Sequence, residues 1–280
     1  MSQDMDIRQL QPWLGRTTIS EDSLCLAQAR LLAATLDQPP EALLPGTPLP
    51  ELWHWIYFRE GLRPGQLGPD GHAARGGFLP PVPLPNRMWA GGRLEFHAPL
   101  LIGETLRKRS TIASINAKSG RSGKLVFVTI RHEILRGDTC LLKEEQDLVY
   151  REGMPAGGDA PRPTHAADTT QVISPDSTLL FRYSALTFNG HRIHYDQDYC
   201  RQVEGYGNLV VHGPLNATLM ARLAAAATGR PLTSFAYRGL QPVILGSDYS
   251  VNARRTDAGM ETWIALTDGT LAMVGQAGCQ

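Results

Sequence analysis

The chain has 280 residues, which allows one large domain or two of about 140 residues each. It carries 27 Lys and Arg against 27 Asp and Glu, and neither half has a marked excess of one sign, so a nucleic-acid binder or a polybasic membrane protein is disfavoured. Hydrophobic residues make up 42% of the chain, enough for a folded core, and no stretch approaches the ~18 apolar residues of a transmembrane helix. The acidic start has no signal-peptide pattern and the four cysteines are scattered, so we expect a cytoplasmic protein with free thiols.

In the first half, apolar spacing predicts two helices followed by a run of strands. Residues 20–22 (Ser-Glu-Asp) are typical of a helix cap, and the apolar residues after them fall on one helical face. A second helix is predicted over residues 50–61, a segment crowded with aromatic side chains. Strands are expected at residues 93–100, 104–115, 124–135 and 140–150, with Gly-containing turns between them.

The second half begins after a segment, residues 151–170, that contains little but Pro, Gly, Ala and small polar residues. Beyond this predicted linker, the clearest helix runs from Pro214 to about Thr228, because Pro is favoured at the first helical position and Gly229 and Pro231 mark an end. Strands are predicted at residues 234–240, 247–255, 260–269 and 271–278.

Each half contains a similar short element. The segment from Pro99 to Gly103 resembles that from Pro242 to Gly246, with three apolar residues between Pro and Gly in both. We therefore predict an α+β chain of two copies of one fold, each a long helix wrapped by a curved antiparallel sheet. The predicted division is residues 1–150, a linker at 151–170, and residues 171–280.

Several common functional motifs are incomplete. The segment from Gly120 to Lys124 lacks the spacing of a phosphate-binding loop and is better explained as a hairpin turn. No G-x-S-x-G sequence is present, which disfavours an α/β-hydrolase. His191 and His194 have no third ligand at a conventional spacing, so no metal site is predicted.

The most informative segment is residues 183–196, YSALTFNGHRIHYD, which holds two histidines, an amide and a carboxylate within eight residues. His212 and Gly213 follow and open the Ala-rich helix. A helix N-terminus presents free N–H groups and the positive end of the helix dipole, which suit a developing oxyanion. Each histidine alone is more often a surface or core-edge residue, but their combination with the helix start points to an active site.

This combination resembles the signature of MaoC-like hot-dog hydratases and dehydratases, in which an Asp is followed five residues later by a His, and a V-H-G sequence opens the central helix. In the first half, Asp70-Gly71-His72, the segment 78–81 (FLPP) and the segment 87–92 (RMWAGG) are similar to the mesaconyl-CoA and itaconyl-CoA hydratase branch. The resemblance spans nearly the whole chain. It implies a double hot-dog fold and reversible hydration of a short enoyl-CoA, with itaconyl-CoA or mesaconyl-CoA converted to citramalyl-CoA.

The resemblance also implies roles for individual residues. His194 matches the catalytic His, and Asn189 stands at the position of the catalytic Asp, a departure because an amide cannot exchange a proton at neutral pH. His194 would then shuttle the proton alone, Asn189 would hold the attacking water, and the Gly213 N–H would stabilise enolate-like charge on the thioester. Arg192 and Arg87 are candidates for a free substrate carboxylate. Tyr183 and His212 complete the predicted substrate-binding set.

Three other functions stay open at this point. They are dehydration of a 3-hydroxyacyl thioester on CoA or acyl carrier protein, thioester hydrolysis on the same fold, and non-catalytic binding of acyl-CoA. The first half has no counterpart of the Asn189 and His194 pair, so we expect it to shape the pocket without catalysing. The expected partner is an acyl-CoA, with no cofactor beyond the CoA of the substrate, no nucleic acid and no membrane. A homodimer is possible because hot-dog copies usually pair.

Overall fold

The computed structural model describes residues 7–120, 123–152 and 161–279. Its strands form one antiparallel sheet of ten strands, in the order β1-β3-β4-β5-β2-β7-β10-β9-β8-β6. The first five are β1 (Thr17–Ser23), β2 (Asn86–Phe96), β3 (Thr105–Gly120), β4 (Gly123–Arg136) and β5 (Thr139–Arg151). The second five are β6 (Thr169–Ile173), β7 (Leu232–Gly239), β8 (Tyr249–Thr256), β9 (Gly259–Leu266) and β10 (Leu271–Cys279).

Three of the four α-helices in the described residues lie in the second half. The four are α1 (Leu26–Thr35), α2 (Ser177–Thr187), the single turn α3 (Gln197–Tyr199) and the long α4 (Gly213–Thr228). Short 3-10 turns cover Ile7–Trp13, Pro40–Ala42, Trp53–Ile56, Pro64–Gln66 and Arg192–His194, and Cys200–Glu204 forms a π-helical turn. Among the described residues, no helix is long and apolar enough to cross a bilayer.

The two halves join where β2 pairs with β7, from Gly91 opposite Arg238 to Glu95 opposite Ser234. Only glycine fits at this junction, because a Cβ on Gly91 would lie 2.4 Å from the Tyr237 carbonyl oxygen. On either side of it the strands follow the same order in the sheet. The predicted double hot-dog architecture is therefore confirmed.

The two similar turns occupy equivalent places in the halves. Gly103 and Gly246 both adopt a positive φ, of 98° and 119°, just before β3 and β8. In each turn the second of the three apolar residues forms an isolated bridge, Leu101 with Pro48 and Ile244 with Val210. The division at residues 150 and 171 stays a prediction, and residues 153–160 of the predicted linker lie outside the described residues.

The first half departs from the expected helices. Residues 20–22 belong to β1, which pairs with β3 at the sheet edge, and α1 begins only at Leu26 with Cys25 as its N-cap. The predicted helix at residues 50–61 is reduced to the 3-10 turn Trp53–Ile56, because Leu52 and Phe58 adopt left-handed backbone conformations on either side of it. In place of a longer helix, a polar cluster packs against this part of the sheet. In it, Glu144 of β5 accepts hydrogen bonds from His54, Trp55 and Gln146.

In the second half, the predicted helix from Pro214 is confirmed as α4, with Gly229 as a left-handed C-cap. Its residues are buried against β7, β8, β9 and β10, and Met220 fills the space above Gly275, where a Cβ would lie 2.7 Å from the Met220 Cε. Helix α2 was not predicted. It begins after Asp176, whose carboxylate accepts a hydrogen bond from the Leu179 N–H at 2.7 Å.

Candidate active site

His194 lies at the end of the 3-10 turn Arg192–His194 and is 6% exposed. Its Nδ1 is 2.8 Å from the Val210 carbonyl oxygen, which can only accept, so Nδ1 carries the proton and Nε2 keeps a free lone pair. Burial lowers the pKa of His194 to about 4, against the opposing effect of the Val210 hydrogen bond. At neutral pH the ring is therefore an uncharged base.

His212 packs face to face with His194, with ring centroids 3.6 Å apart and an angle of 18° between the planes. It is fully buried, and its Nε2 is 2.8 Å from the Ser184 hydroxyl of α2. Burial, followed by the charges of His194 and His191, lowers the pKa of His212 well below its usual value. Two stacked imidazolium rings would repel each other, so this arrangement favours the neutral form of both.

Gly213 is the first residue of α4, directly after His212. The His212 side chain makes no capping hydrogen bond, and Pro214 has no N–H. The Gly213 N–H belongs to the first helical turn, which has no partner within the helix, and it directly follows His212, whose ring stacks on His194 at the positive end of the helix dipole. The structure thus places His194, His212 and Gly213 next to one another, while the roles assigned to them stay predictions.

Asn189 forms the turn that delivers His191. Its Oδ1 accepts a hydrogen bond from the His191 backbone N–H at 3.0 Å. The His191 ring stands perpendicular to that of His194, with centroids 5.5 Å apart. Burial lowers the pKa of His191 to about 2, and the charges of His72 and His194 act in the same direction. The sequence did not predict that the His191 ring would lie between those of His72 and His194.

A loop of the first half closes the same site. Asp70 Oδ2 is 3.2 Å from His72 Nδ1, and the His72 ring lies 4.2 Å from that of His191. Burial by itself would raise the pKa of Asp70, but the hydrogen bond and charge of His72, with the charge of Arg87, hold it below its usual range. The sequence had marked Asp70-Gly71-His72 only as a family resemblance.

The two loops touch through glycines. A Cβ on Gly71 would lie 1.9 Å from the Gly190 carbonyl oxygen, and Gly71 has a φ of +86°. The Arg192 N–H also donates to the Asp70 carbonyl oxygen at 2.9 Å. Only glycine permits so close an approach of the two backbones, so this contact holds the first-half loop against the His191 turn.

The two predicted arginines differ in their surroundings. Arg192 donates two hydrogen bonds to Asp196 Oδ2, at 2.7 and 3.0 Å, one to the Pro69 carbonyl oxygen, and packs over the Tyr199 ring. These contacts favour a structural role. The Arg87 side chain is only 8% exposed and has its Nη2 3.6 Å from Asp70 Oδ2. Arg87 is therefore the arginine that faces the histidine cluster.

Tyr183 is 2% exposed and lies behind His212, with ring centroids 5.0 Å apart. Burial raises the pKa of its hydroxyl far above the usual value, and the hydroxyl bonds to Thr218 of α4. This position favours packing of His212 over contact with a substrate. The predicted substrate-binding role of Tyr183 stays a prediction.

Within the described ranges, the side chains of Asp70, His72 and His191 could hold a cation, since their ligand atoms lie within 4.8 Å of one another. The adjoining Arg87 guanidinium disfavours one. A cavity of about 790 Å³ lies elsewhere, on the outer face of the sheet, where Arg93 and Ala236 alternate with the buried Leu94 and Phe235. It contains none of the four histidines, so we place the active site at the histidine cluster.

Residues 52–245 match the family described as hydroxyacyl-thioester dehydratase type 2. The chain is also 47% identical, over 93% of its length and 94% of the relative, to mesaconyl-C(4)-CoA hydratase from Chloroflexus aurantiacus. The chain belongs to the hydroxyacyl-thioester dehydratase type 2 family. The mitochondrial member from Schizosaccharomyces pombe is 28% identical over 75% of this chain and 77% of its own.

Solved structures agree on the fold of this dehydratase family member. A MaoC-like dehydratase from Phytophthora capsici superposes with a TM-score of 0.74 at 12% identity, covering 99% of this chain and 98% of that one. A conserved hypothetical protein from Mycobacterium tuberculosis with a double hot-dog fold gives 0.57 at 15% identity, covering 95% and 96%. The predicted family, fold and enzyme class, a hydro-lyase acting on acyl thioesters, are thus confirmed.

Proposed function

We propose that this protein adds water reversibly across the double bond of a short enoyl-CoA that carries a free carboxylate, converting itaconyl-CoA or mesaconyl-CoA to citramalyl-CoA. The observation that carries the proposal is the buried His194, whose Nδ1 donates to the Val210 carbonyl, whose Nε2 keeps a lone pair, and whose ring stacks on His212, the N-cap of α4. The 47% identity to a mesaconyl-C(4)-CoA hydratase supports the substrate class.

In the proposed reaction, written for mesaconyl-CoA, whose double bond joins the α- and β-carbons of the thioester, His194 Nε2 takes a proton from water as the water oxygen bonds to the β-carbon. Itaconyl-CoA would first have to become mesaconyl-CoA, by loss of an α-proton and return of a proton to its methylene carbon. The π electrons move to the α-carbon and onto the thioester oxygen, where the Gly213 N–H stabilises the negative charge. The His194 imidazolium then returns its proton to the α-carbon, and the double bond of the thioester carbonyl re-forms. One imidazole thus carries the proton in both steps, and dehydration is the reverse path.

The substrate carboxylate would bind Arg87. A planar guanidinium in a partly desolvated site can bind a carboxylate through two hydrogen bonds. The present partner of Arg87, Asp70, is 3.6 Å away, longer than a good hydrogen bond, so the guanidinium retains donors for a second anion.

We propose that the reaction draws on no cofactor of its own, since CoA arrives as part of the substrate and the steps above involve only side chains and water. The cytoplasmic location and a homodimer belong to the same proposal. Size-exclusion chromatography with light scattering would test the dimer.

The test is the loss of enoyl-thioester ultraviolet absorbance on adding enzyme to mesaconyl-CoA or crotonyl-CoA, with the formation of citramalyl-CoA from itaconyl-CoA followed by chromatography. We expect turnover of a carboxylated substrate, reduced about 10²- to 10⁴-fold by His194→Ala. His97→Ala is the matched control, because His97 is a half-exposed histidine directly after β2, outside the histidine cluster. A preference for crotonyl-CoA would contradict a substrate with a free carboxylate. Binding of all three thioesters without turnover of any would contradict the proposed hydration.

Dehydration of a 3-hydroxyacyl thioester is the second candidate, favoured by the match to the hydroxyacyl-thioester dehydratase family. The same active site would run the reaction in reverse. Absorbance should then rise when a 3-hydroxyacyl-CoA without the second carboxylate is added. A thioesterase would instead release free thiol, which a thiol reagent in the same assay would detect.

A further inference from the structure

The Asp70-Gly71-His72 loop comes from the first half of the chain but reaches the histidine cluster of the second half. The close approach of Gly71 to Gly190, with the hydrogen bond from the Arg192 N–H to the Asp70 carbonyl, holds it there. The reaction described above uses none of these side chains. Their arrangement nevertheless has the features of a prepared catalytic group.

Asp70 holds His72 in one orientation. Its Oδ1 accepts from the His72 backbone N–H at 3.1 Å, and its Oδ2 lies 3.2 Å from His72 Nδ1. Because a carboxylate can only accept, the proton of the neutral ring is on Nδ1 and the lone pair on Nε2. His194 is held by the Val210 carbonyl in the same tautomer. The site therefore contains two imidazoles whose Nε2 atoms are acceptors.

Because Asn189 stands where the motif has an Asp, the attacking water lacks the carboxylate that would accept its second hydrogen bond. A water attacking the β-carbon has two hydrogens, and His194 Nε2 can take only one of them. The oxygen of Asn189, at the motif's carboxylate position, accepts from the His191 N–H, which uses one of its two lone pairs and turns it toward the His191 turn, and its amide nitrogen can only donate. Of the described groups in the first-half loop, His72 Nε2 is a free neutral acceptor, since the Asp70 oxygens are bound to His72 itself.

We propose that His72 is a second catalytic histidine, which binds the attacking water through Nε2, and that Asp70 is its positioning residue. This inference rests on the proposed hydration reaction. His72 accepts a hydrogen bond from one water hydrogen, while the other passes as a proton to His194 and from there to the α-carbon. His72 gains and loses no proton overall, and the water oxygen remains as the β-hydroxyl of the product. The active site is thus assembled from both halves of the chain.

The kinetic test uses four variants, assayed on the substrate that the wild type turns over best. His72→Ala should lower kcat about 10- to 100-fold while KM changes less than about threefold, because the lost contact is to water and not to the acyl group. His72→Gln should retain more activity than His72→Asn, since the longer side chain places its oxygen near the position of Nε2. Asp70→Asn should also lower kcat, because an amide nitrogen facing Nδ1 donates to it and moves the ring proton to Nε2.

Glu95 and His97 provide the matched control. They form the same kind of carboxylate and histidine pair, at 3.7 Å, but both are about half exposed and lie at the end of β2. His97→Gln and Glu95→Gln should leave kcat and KM unchanged. ¹⁵N chemical shifts of labelled histidine report the tautomer directly. The His72 resonance should show a protonated Nδ1 in the wild type and a protonated Nε2 in Asp70→Asn, a change that a purely structural role of Asp70 would not predict for a folded variant.

The outcomes separate the two proposals. If the wild type hydrates the substrate and folded His72→Ala keeps the wild-type kcat, the proposed role of His72 is wrong and the proposed hydratase activity is unaffected. If the wild type turns over no enoyl-CoA, both proposals fail. If a chelator abolishes turnover and zinc restores it, Asp70, His72 and His191 are metal ligands and the water-binding role is wrong. If His72→Ala fails to fold, the role of His72 is tested by the ratio of kcat between His72→Gln and His72→Asn and by the tautomer measurement. Equal kcat in those two variants, or an unchanged tautomer in Asp70→Asn, would contradict it.

Discussion

At the scale of single residues, the active site depends on which nitrogen of each imidazole is committed to the protein. His194 donates to the Val210 carbonyl, and His212 is 2.8 Å from the Ser184 hydroxyl. The two rings stack at 3.6 Å, and burial lowers the pKa of both. A base that must be neutral to act is therefore kept neutral by its surroundings, and the reaction should remain fast down to mildly acidic pH.

The pH dependence of the wild type tests this conclusion. The pKa of His194 is lowered to about 4, so its neutral form is lost only as the pH falls through that value. We expect the acidic limb of kcat/KM to lie clearly below the ordinary histidine pKa of about 6.5. A limb near pH 6.5, in a protein shown by circular dichroism to be folded, would mean that His194 is solvated in the free enzyme.

Arg87 gives a prediction on substrate choice. Arg87→Gln should raise KM for the carboxylated substrate about 10- to 100-fold, the loss of one charge-assisted hydrogen bond or a pair of them, and should leave crotonyl-CoA unaffected. Arg192→Gln is the control, because Arg192 is engaged by Asp196 and Tyr199. A selective rise of KM in Arg192→Gln instead would assign the carboxylate to that arginine.

At the scale of elements, the site depends on contact between two loops that are distant in sequence. The loop around Gly71 and the loop around Gly190 approach so closely that neither position has room for a side chain. The second loop leads through the turn Arg192–His194 to His194, while the first carries Asp70 and His72. Any separation of the loops would therefore move three histidines relative to one another.

Substitution of Gly71 tests this contact. Gly71→Ala would place a methyl group 1.9 Å from the Gly190 carbonyl oxygen, so we expect the loops to separate and kcat to fall at least about tenfold. Gly76→Ala is the matched control, since Gly76 also has a positive φ, +92°, but an added Cβ there would meet nothing closer than 3.8 Å. Both variants incur backbone strain of about 1 kcal/mol or more, measurable by urea unfolding. Equal loss of kcat in the two would contradict the proposed contact.

At the scale of the whole molecule, the two halves share one strand order but pack different groups against the sheet. In the second half, α4 packs against the sheet with Met220 above Gly275. In the first half, the corresponding side of the sheet holds the buried Glu144, which is 1% exposed and 2.9 Å from His54. Burial alone would raise the pKa of Glu144, but the hydrogen bond and charge of His54, with the charge of His132, lower it to about 2.

The pH dependence of stability tests the role of this cluster. Because the folded-state pKa of Glu144 lies below its unfolded value, its stabilisation is present above about pH 4.5 and is lost as the pH falls toward 2. Glu144→Gln should lower the free energy of unfolding by about 2 to 3 kcal/mol at pH 7, and by less at pH 3. Glu145→Gln is the control, since Glu145 pairs with half-exposed arginines and should cost under about 1 kcal/mol. A Glu144→Gln deficit that is equal at both pH values would exclude a role for its charge.

The sequence by itself determined eight of the ten described strands, all but β1 and β6, together with the helix α4 and the residues at its start, because local patterns carry them. Alternating apolar residues predicted β4 and β5 to within one residue at each end and the start of β3 to within one residue, and Pro214 with Gly229 delimited α4. His194, His212 and Gly213 could be grouped because they lie within 20 residues of one another and face one helix end. The family motif, which runs from Asn189 to Gly213, lies in the same short segment.

Only the tertiary structure decided which distant residues join that group. Residues 20–22 carry a helix-capping pattern yet form an edge strand, because pairing with β3 outweighs a local preference. Asp70 and His72 reach His191 from more than 100 residues away, through a glycine contact that no periodicity reveals. Arg87 and Arg192 look alike in sequence, and their difference lies in their neighbours, Asp70 for one and Asp196 for the other. Chemistry that depends on contacts between the two halves becomes visible only when the sheet brings them together.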